Sequence, residues 1–264
     1  LGDVYKRQAY KKAVLVDPEN PSNYINLARL QIWTGDYEDA ITNTKNALLQ
    51  NPNNPLAHAV QAWALNFTGD YTVAEAEVRK ALDLDPNNAL AHAVYAEILI
   101  DKGNFDDVDK AIEESRLAWE LGRGQLEVHR ARGLVLASTQ NLEQAAEEFQ
   151  TAIAINDKIA DLHLQLGFVY RAMGENDMAV DELLFANSLT DSADTRALVE
   201  IMLAYANDGQ YYEEGSWQPM LDTPEAAKAL ADYRTILTKY GPPGAASFGF
   251  DEAFNVAAQG KAFS

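Results

Sequence analysis

Three dipeptides, Asp17-Pro18, Asn51-Pro52 and Asp85-Pro86, recur at a spacing of 34 residues, and no other feature of this chain constrains its fold as tightly. The tripeptides Thr34–Asp36 and Thr68–Asp70 (TGD) and Lys102–Asn104 (KGN) keep the same interval. Ala40 and Ala74, then Ala47 and Ala81, follow in register. The period continues past one slip: Gly103 to Gln140 is 37 residues and Gln140 to Gly174 is 34 again. The slip places a three-residue insertion around Asp106–Asp109, after which Ala111 and Ala118 resume the pattern. A fixed period of this length marks a stack of identical small units rather than one unrepeated core.

Each unit reads as two helices. In the second, LAHAVQAWALNF is one helix, Thr68-Gly69-Asp70 a turn and TVAEAEVRKALDL another. Glycine at the turn supplies the positive φ that ends the first helix. Pro52 and Pro86 stop the second helix, because proline has no N–H to donate. Ala28, Ala62, Ala96, Gly133 and Gly167 share one position, where two helices must approach closely. A lone helix pair cannot bury its apolar face, so the expected fold is all-α: a superhelical solenoid of stacked helix-turn-helix repeats.

These residues resemble the tetratricopeptide repeat. In the first full unit the pattern is carried by Tyr24, Leu27, Ala28, Gly35, Tyr37, Ala40, Ala47 and Pro52; in the fifth by Leu166, Gly167, Tyr170, Gly174, Ala179 and Ala186. Gln61 and Arg132 depart from it, standing where the family usually has leucine. We count five full units over about Pro21–Asp191 within a solenoid of residues 9–208. The resemblance implies a concave groove lined by the first helix of each unit, holding a partner peptide or helix. It places Arg29, Trp63, Asn66, Glu97, Asp101, Arg130, Phe168 and Arg171 on that groove. Trp63 and Phe168 fit two roles, exposed anchors for a partner or filling between neighbouring helices, and sequence does not choose between them. Arg130 and Arg171 are expected to attract an acidic partner. The Lys and Asn set with which some members clamp a C-terminal carboxylate is not present.

His58, His92, His129 and His163 occupy one position of successive first helices. Equivalent sites on stacked helices lie on the order of 10 Å apart, too far to share one zinc at about 2 Å from each ligand. We therefore expect half-buried rings between helices, and no metal or other cofactor. Glu113-Glu114 and Glu147-Glu148 are expected to face solvent on second helices. No glycine-rich phosphate loop or strained nucleophile turn appears, so no catalytic residue is assigned and the chain is read as a non-enzyme. The net charge of −19 opposes binding to nucleic acid or anionic lipid. No apolar run is long enough to cross a bilayer. Cysteine is absent, which removes disulfides and thiolate chemistry.

Both ends read differently from the middle. Leu1–Gln8, LGDVYKRQ, back-translate to the end of a transposase adaptor used in library preparation, and are set aside as an artefact. On that reading the gene is cut upstream of Ala9. From about Gly209 the period fails, and residues 209–264 are read as two helices and loops. Trp217–Leu221, Asp222-Thr223-Pro224-Glu225, Lys239–Ala245 and Gln259-Gly260-Lys261 resemble the sorbitol- and mannitol-type solute-binding proteins of ATP-driven importers. Only a small piece of that fold is present and the sheets of both lobes are missing, so this segment is not expected to bind sugar. A join of two unrelated genes within Leu203–Glu213 is favoured over a natural fusion, because a fragment truncated on both sides cannot bury its apolar surface. The function expected is a bacterial protein–protein interaction scaffold. The alternatives are a sugar-binding subunit of an importer, or the regulatory repeats of a larger enzyme or sensor.

Overall fold

The computed structural model describes residues 2–189, with side chains from residue 6 onward. The solute-binding-like segment at 209–264 and the junction near 203–213 lie outside the described residues. Eleven α-helices follow one another among the described residues. α1 (Gly2–Val16) leads into five helix pairs. These are α2 (Pro21–Trp33) with α3 (Tyr37–Gln50), α4 (Pro55–Phe67) with α5 (Tyr71–Leu84), and α6 (Ala89–Asp101) with α7 (Val108–Gly122). α8 (Leu126–Ser138) with α9 (Leu142–Ile155) and α10 (Ala160–Met173) with α11 (Asn176–Leu189) complete them. Gly2–Gln8 run without a break into α1, and Arg7 pairs with Asp36 at the following turn.

Local chemistry sets the boundaries. Asn20, Asn54 and Asn88 cap the first helices of three units, each side-chain oxygen accepting from a first-turn N–H. Pro21 and Pro55 sit in the first turn, where a missing N–H costs nothing. Gly35, Gly69, Gly103 and Gly174 turn the chain between paired helices at φ of +66° to +83°. In the fourth unit Gln140 does the same job at φ 62°, a conformation that its Cβ disfavours. The three-residue insertion takes the form of a 3₁₀ turn at Phe105–Asp107 ahead of α7. It leaves Phe105, the counterpart of Tyr37 and Tyr71, 93% exposed.

The periodic small residues are where the stack is tightest. Ala40 and Ala47 of α3 have fully buried counterparts at Ala74 and Ala81, Ala111 and Ala118, Ala145 and Ala152, and Ala179 and Ala186. A Cβ built on Gly133 would meet the Phe149 ring at 2.8 Å, and one on Gly167 would meet Leu183 at 2.9 Å. A larger side chain there would push the paired helices apart, which is why this position stays small. The superhelix also curls back on itself. Arg29 of α2 pairs with Glu127 of α8, and Trp33 packs on the cluster of Leu126, Ala152, Ile159 and Leu162.

Candidate functional site

The concave face is built from α2, α4, α6, α8 and α10. Its centre is Arg130, which the curl of the superhelix surrounds with groups from four other units. Nε donates to Asp161 Oδ2 of α10 at 2.6 Å. Nη1 lies 2.5 Å from Glu97 Oε2 of α6, an ion contact without hydrogen-bond alignment. The guanidinium carbon stands 5.2 Å from the Phe67 ring centre of α4 and 6.0 Å from that of Trp33 of α2. Trp33 and Trp63 meet edge to face at 4.7 Å, and Trp63 Nε1 donates to Glu97 Oε2 at 3.1 Å. Asn66 Nδ2 donates to Asp101 Oδ2 at 2.5 Å.

Burial dominates the electrostatics of this cluster. Glu97 is only 1% exposed, and burial pushes its carboxyl up to about 7 against the opposing pull of Arg130. Burial also works against the Arg130 charge, but Asp161 and then Glu97 outweigh it and hold the guanidinium above its usual value. Arg130 is therefore a spent cation. An acidic partner could reach it only by displacing Asp161 and Glu97.

The eight residues predicted for the groove separate into two sets. Trp63 is 0% exposed, so of its two possible roles it takes the filling one: neighbouring aromatic rings and Glu97 enclose it. Asn66, Glu97 and Arg130 are buried with it, the last at 3% exposure. Trp63 and Arg130 meet on Glu97, and Asn66 is held by Asp101, so all four side chains are committed to contacts within the protein. Arg29, Asp101, Phe168 and Arg171 keep accessible surface. Phe168 is half-buried on α10, resting on Leu164, Leu183 and Ala186, and Arg171 lies one turn further along.

The histidines form a second recurring arrangement, on the faces between helices. His58 Nδ1 lies 2.5 Å from Glu77 Oε2 and Nε2 3.0 Å from the Pro52 carbonyl. His92 pairs in the same way with Glu114 at 2.6 Å and the Pro86 carbonyl at 3.0 Å. His129 reaches Glu148 at 2.6 Å and the Arg123 carbonyl at 2.7 Å. His163 reaches Glu182 at 2.6 Å and the Asp157 carbonyl at 3.1 Å. Glu114 and Glu148 are thus only partly exposed, at 13% and 16%, rather than fully solvated as their place in an acidic run suggested; Glu113 and Glu147 are exposed. The glutamates were legible as a fixed interval of 19 residues after His58, His129 and His163, stretched to 22 after His92 by the insertion. Among the described residues no three His, Cys, Asp or Glu side chains gather as a metal ion would require. No helix among them is long and apolar enough to cross a membrane.

Paired helices in register, joined by short turns and curved around a lined groove, define a helical-repeat solenoid. A tetratricopeptide-repeat family model matches residues 7–64 and 68–118, and a second model of the same repeat matches residues 133–174. Together these cover more than half of the chain, which belongs to the tetratricopeptide-repeat family. No curated protein matches it. Among solved structures it is similar to TTC0263, a thermophilic repeat protein of this family from Thermus thermophilus. Identity is 21% over 69% of this chain and 98% of that one, with a TM-score of 0.57. It is also similar to the APC/C hetero-tetramer Cut9-Hcn1, at 16% identity over 94% of this chain and 46% of that one, with a TM-score of 0.64. At these identities the likeness concerns the fold.

Proposed function

We propose that this chain is a protein-interaction scaffold whose concave groove takes a partner peptide or helix, acting by binding rather than turnover. The observation that carries the reading is Phe168, a large aromatic side chain left partly open on a groove-lining helix. Arg171 is one turn away, and Asp161 shares the same helix and face. An apolar anchor ringed by charged groups is the pattern on which a few residues can supply most of the binding energy. Arg29 and Asp101 extend the contact surface toward the first three units. Trp63, Asn66, Glu97 and Arg130 hold the wall in shape from behind.

Selection from a random peptide library against the full chain tests this. Selected peptides should lose at least tenfold in affinity for Phe168→Ala, and lose affinity for Asp101→Asn. They should bind Glu113→Gln and Glu147→Gln, on the outer face, like the parent. Peptides indifferent to Phe168→Ala, or a selection that yields no binder, would refute the assignment.

A further inference from the structure

Each of the four histidine clasps spans three pieces of chain. The ring belongs to a first helix, the glutamate to the second helix of the same unit, and the carbonyl to the turn that arrives from the preceding element. A clasp therefore fastens a joint of the solenoid as well as a helix pair. Both of its partners are acceptors: an ionised carboxylate has no proton to give, and a carbonyl never has one. A neutral imidazole carries a single N–H. It can satisfy one partner, while the lone pair of its other nitrogen faces an oxygen at 2.5–3.1 Å. Both contacts are made only when the clasp holds a further proton, whether on the ring or on the carboxyl, so the requirement does not depend on which group is assigned it.

We infer that the clasps of His92 and His129 are proton-operated joints: each gains a proton as it closes and releases it as the pH rises, unfastening a first helix from the turn before it. The charged groups facing His92 are Glu114 of α7 and Asp85 of the preceding turn; those facing His129 are Glu148 of α9 and Arg132 of α8. Arg132 Nε lies 2.8 Å from the other oxygen of Glu148. Burial opposes the His92 charge, but Glu114, the Pro86 carbonyl and Asp85 outweigh it and hold the ring above its ordinary value. At His129 the Glu148 hydrogen bond leads, ahead of burial, and the result has the same sign despite Arg132. In a quasi-one-dimensional stack, joints in series add their effects. The clasped helices are those that line the groove, so proton release loosens the spacing of the groove wall, whatever the groove binds.

Nitrogen-detected NMR of the histidine rings in the full chain, from pH 5.5 to 9, tests the inference directly. An unlinked histidine is about nine-tenths neutral at pH 7.5. The rings of His92 and His129 should be protonated to a greater extent than that. Glu114→Gln keeps an acceptor but removes the charge, and should move the His92 midpoint to lower pH while leaving His129 in place. Protection of the His92 amide, which donates to the Asn88 carbonyl, should fall across the same range beyond the ordinary rise in exchange rate with pH. Rings no more protonated than an unlinked histidine at pH 7.5, or amide protection that ignores the ring titration, would overturn the inference in the unaltered protein. An unmoved His92 midpoint in Glu114→Gln would overturn it as well.

Discussion

Arg130→Met removes the cation at the centre of the groove wall while keeping most of the volume of its stem. Asp161 is partly open to water, so its release costs little. Glu97 is not open: at 1% exposure it is left as a buried carboxylate facing the Trp63 N–H alone. Removing one partner of a buried pair costs about 3–5 kcal/mol. The lower end applies here, because Glu97 escapes part of the penalty by taking up a proton and can still accept from Trp63. The cost must therefore depend on pH. The folded carboxyl titrates at about 7, above its ordinary 4.5. A group raised in this way contributes stability that is fully present below 4.5 and is lost as the pH rises through about 7. Across that window the parent should lose about 3 kcal/mol from this group. Arg130→Met should lose more above pH 7 and little near pH 5, where Glu97 is already neutral. For a domain of this size, about 3 kcal/mol is a fall of roughly 6–12 °C in melting temperature. Thermal melts followed by circular dichroism at pH 5 and pH 8 measure it, with Arg130→Met/Glu97→Gln restoring most of the loss at pH 8. A single variant within 2 °C of the parent at pH 8, or a double variant no better than the single, would refute the reasoning.

Three further outcomes follow from the same structure. Gln140→Gly should stabilise the fourth unit by about 1 kcal/mol, since glycine takes φ 62° without the Cβ clash; an unchanged or lower denaturation midpoint would count against that strain. Gly133→Ala should cost about 1–3 kcal/mol by pressing on the Phe149 ring, and Phe149→Leu in the same chain should return part of it, as read from urea midpoints. His92 and His129 are both raised in the folded state, so their contribution is complete below their ordinary value of 6.5 and fades as the pH climbs through the folded value. His92→Gln/His129→Gln should accordingly flatten the decline in stability between pH 6.5 and 8.5, and an unchanged slope in pH-dependent melts would deny them that share.

Much of the architecture was legible before any coordinates, because it is written in contacts that repeat. A spacing of 34 residues places alanine after alanine at the same helix crossing, so Ala40 and Ala74, and again Ala47 and Ala81, report one packing event several times over. The glycines at the turns and the prolines that stop the second helices are decided within a few residues of chain. The groove was legible as a face but not as a surface. Position along the repeat put Trp63, Glu97 and Arg130 on first helices, and said nothing of whether water could reach them.

Accessibility was settled by the curl of the superhelix, which brings Arg29 against Glu127 and sets Trp33 and Phe67 beside Arg130. That curl is the sum of small rotations at every joint, and no single repeat contains it. The histidine clasps show the same division at shorter range. Each partner glutamate stood at a regular interval in the sequence, but only the docking of second helix on first revealed that the interval closes a hydrogen bond. What the sequence determined by itself was the unit and its stacking, because both rest on neighbouring residues and neighbouring repeats. What the tertiary structure alone decided was which polar groups were spent on one another and which were left for a partner, because that depends on elements about a hundred residues apart meeting across the groove.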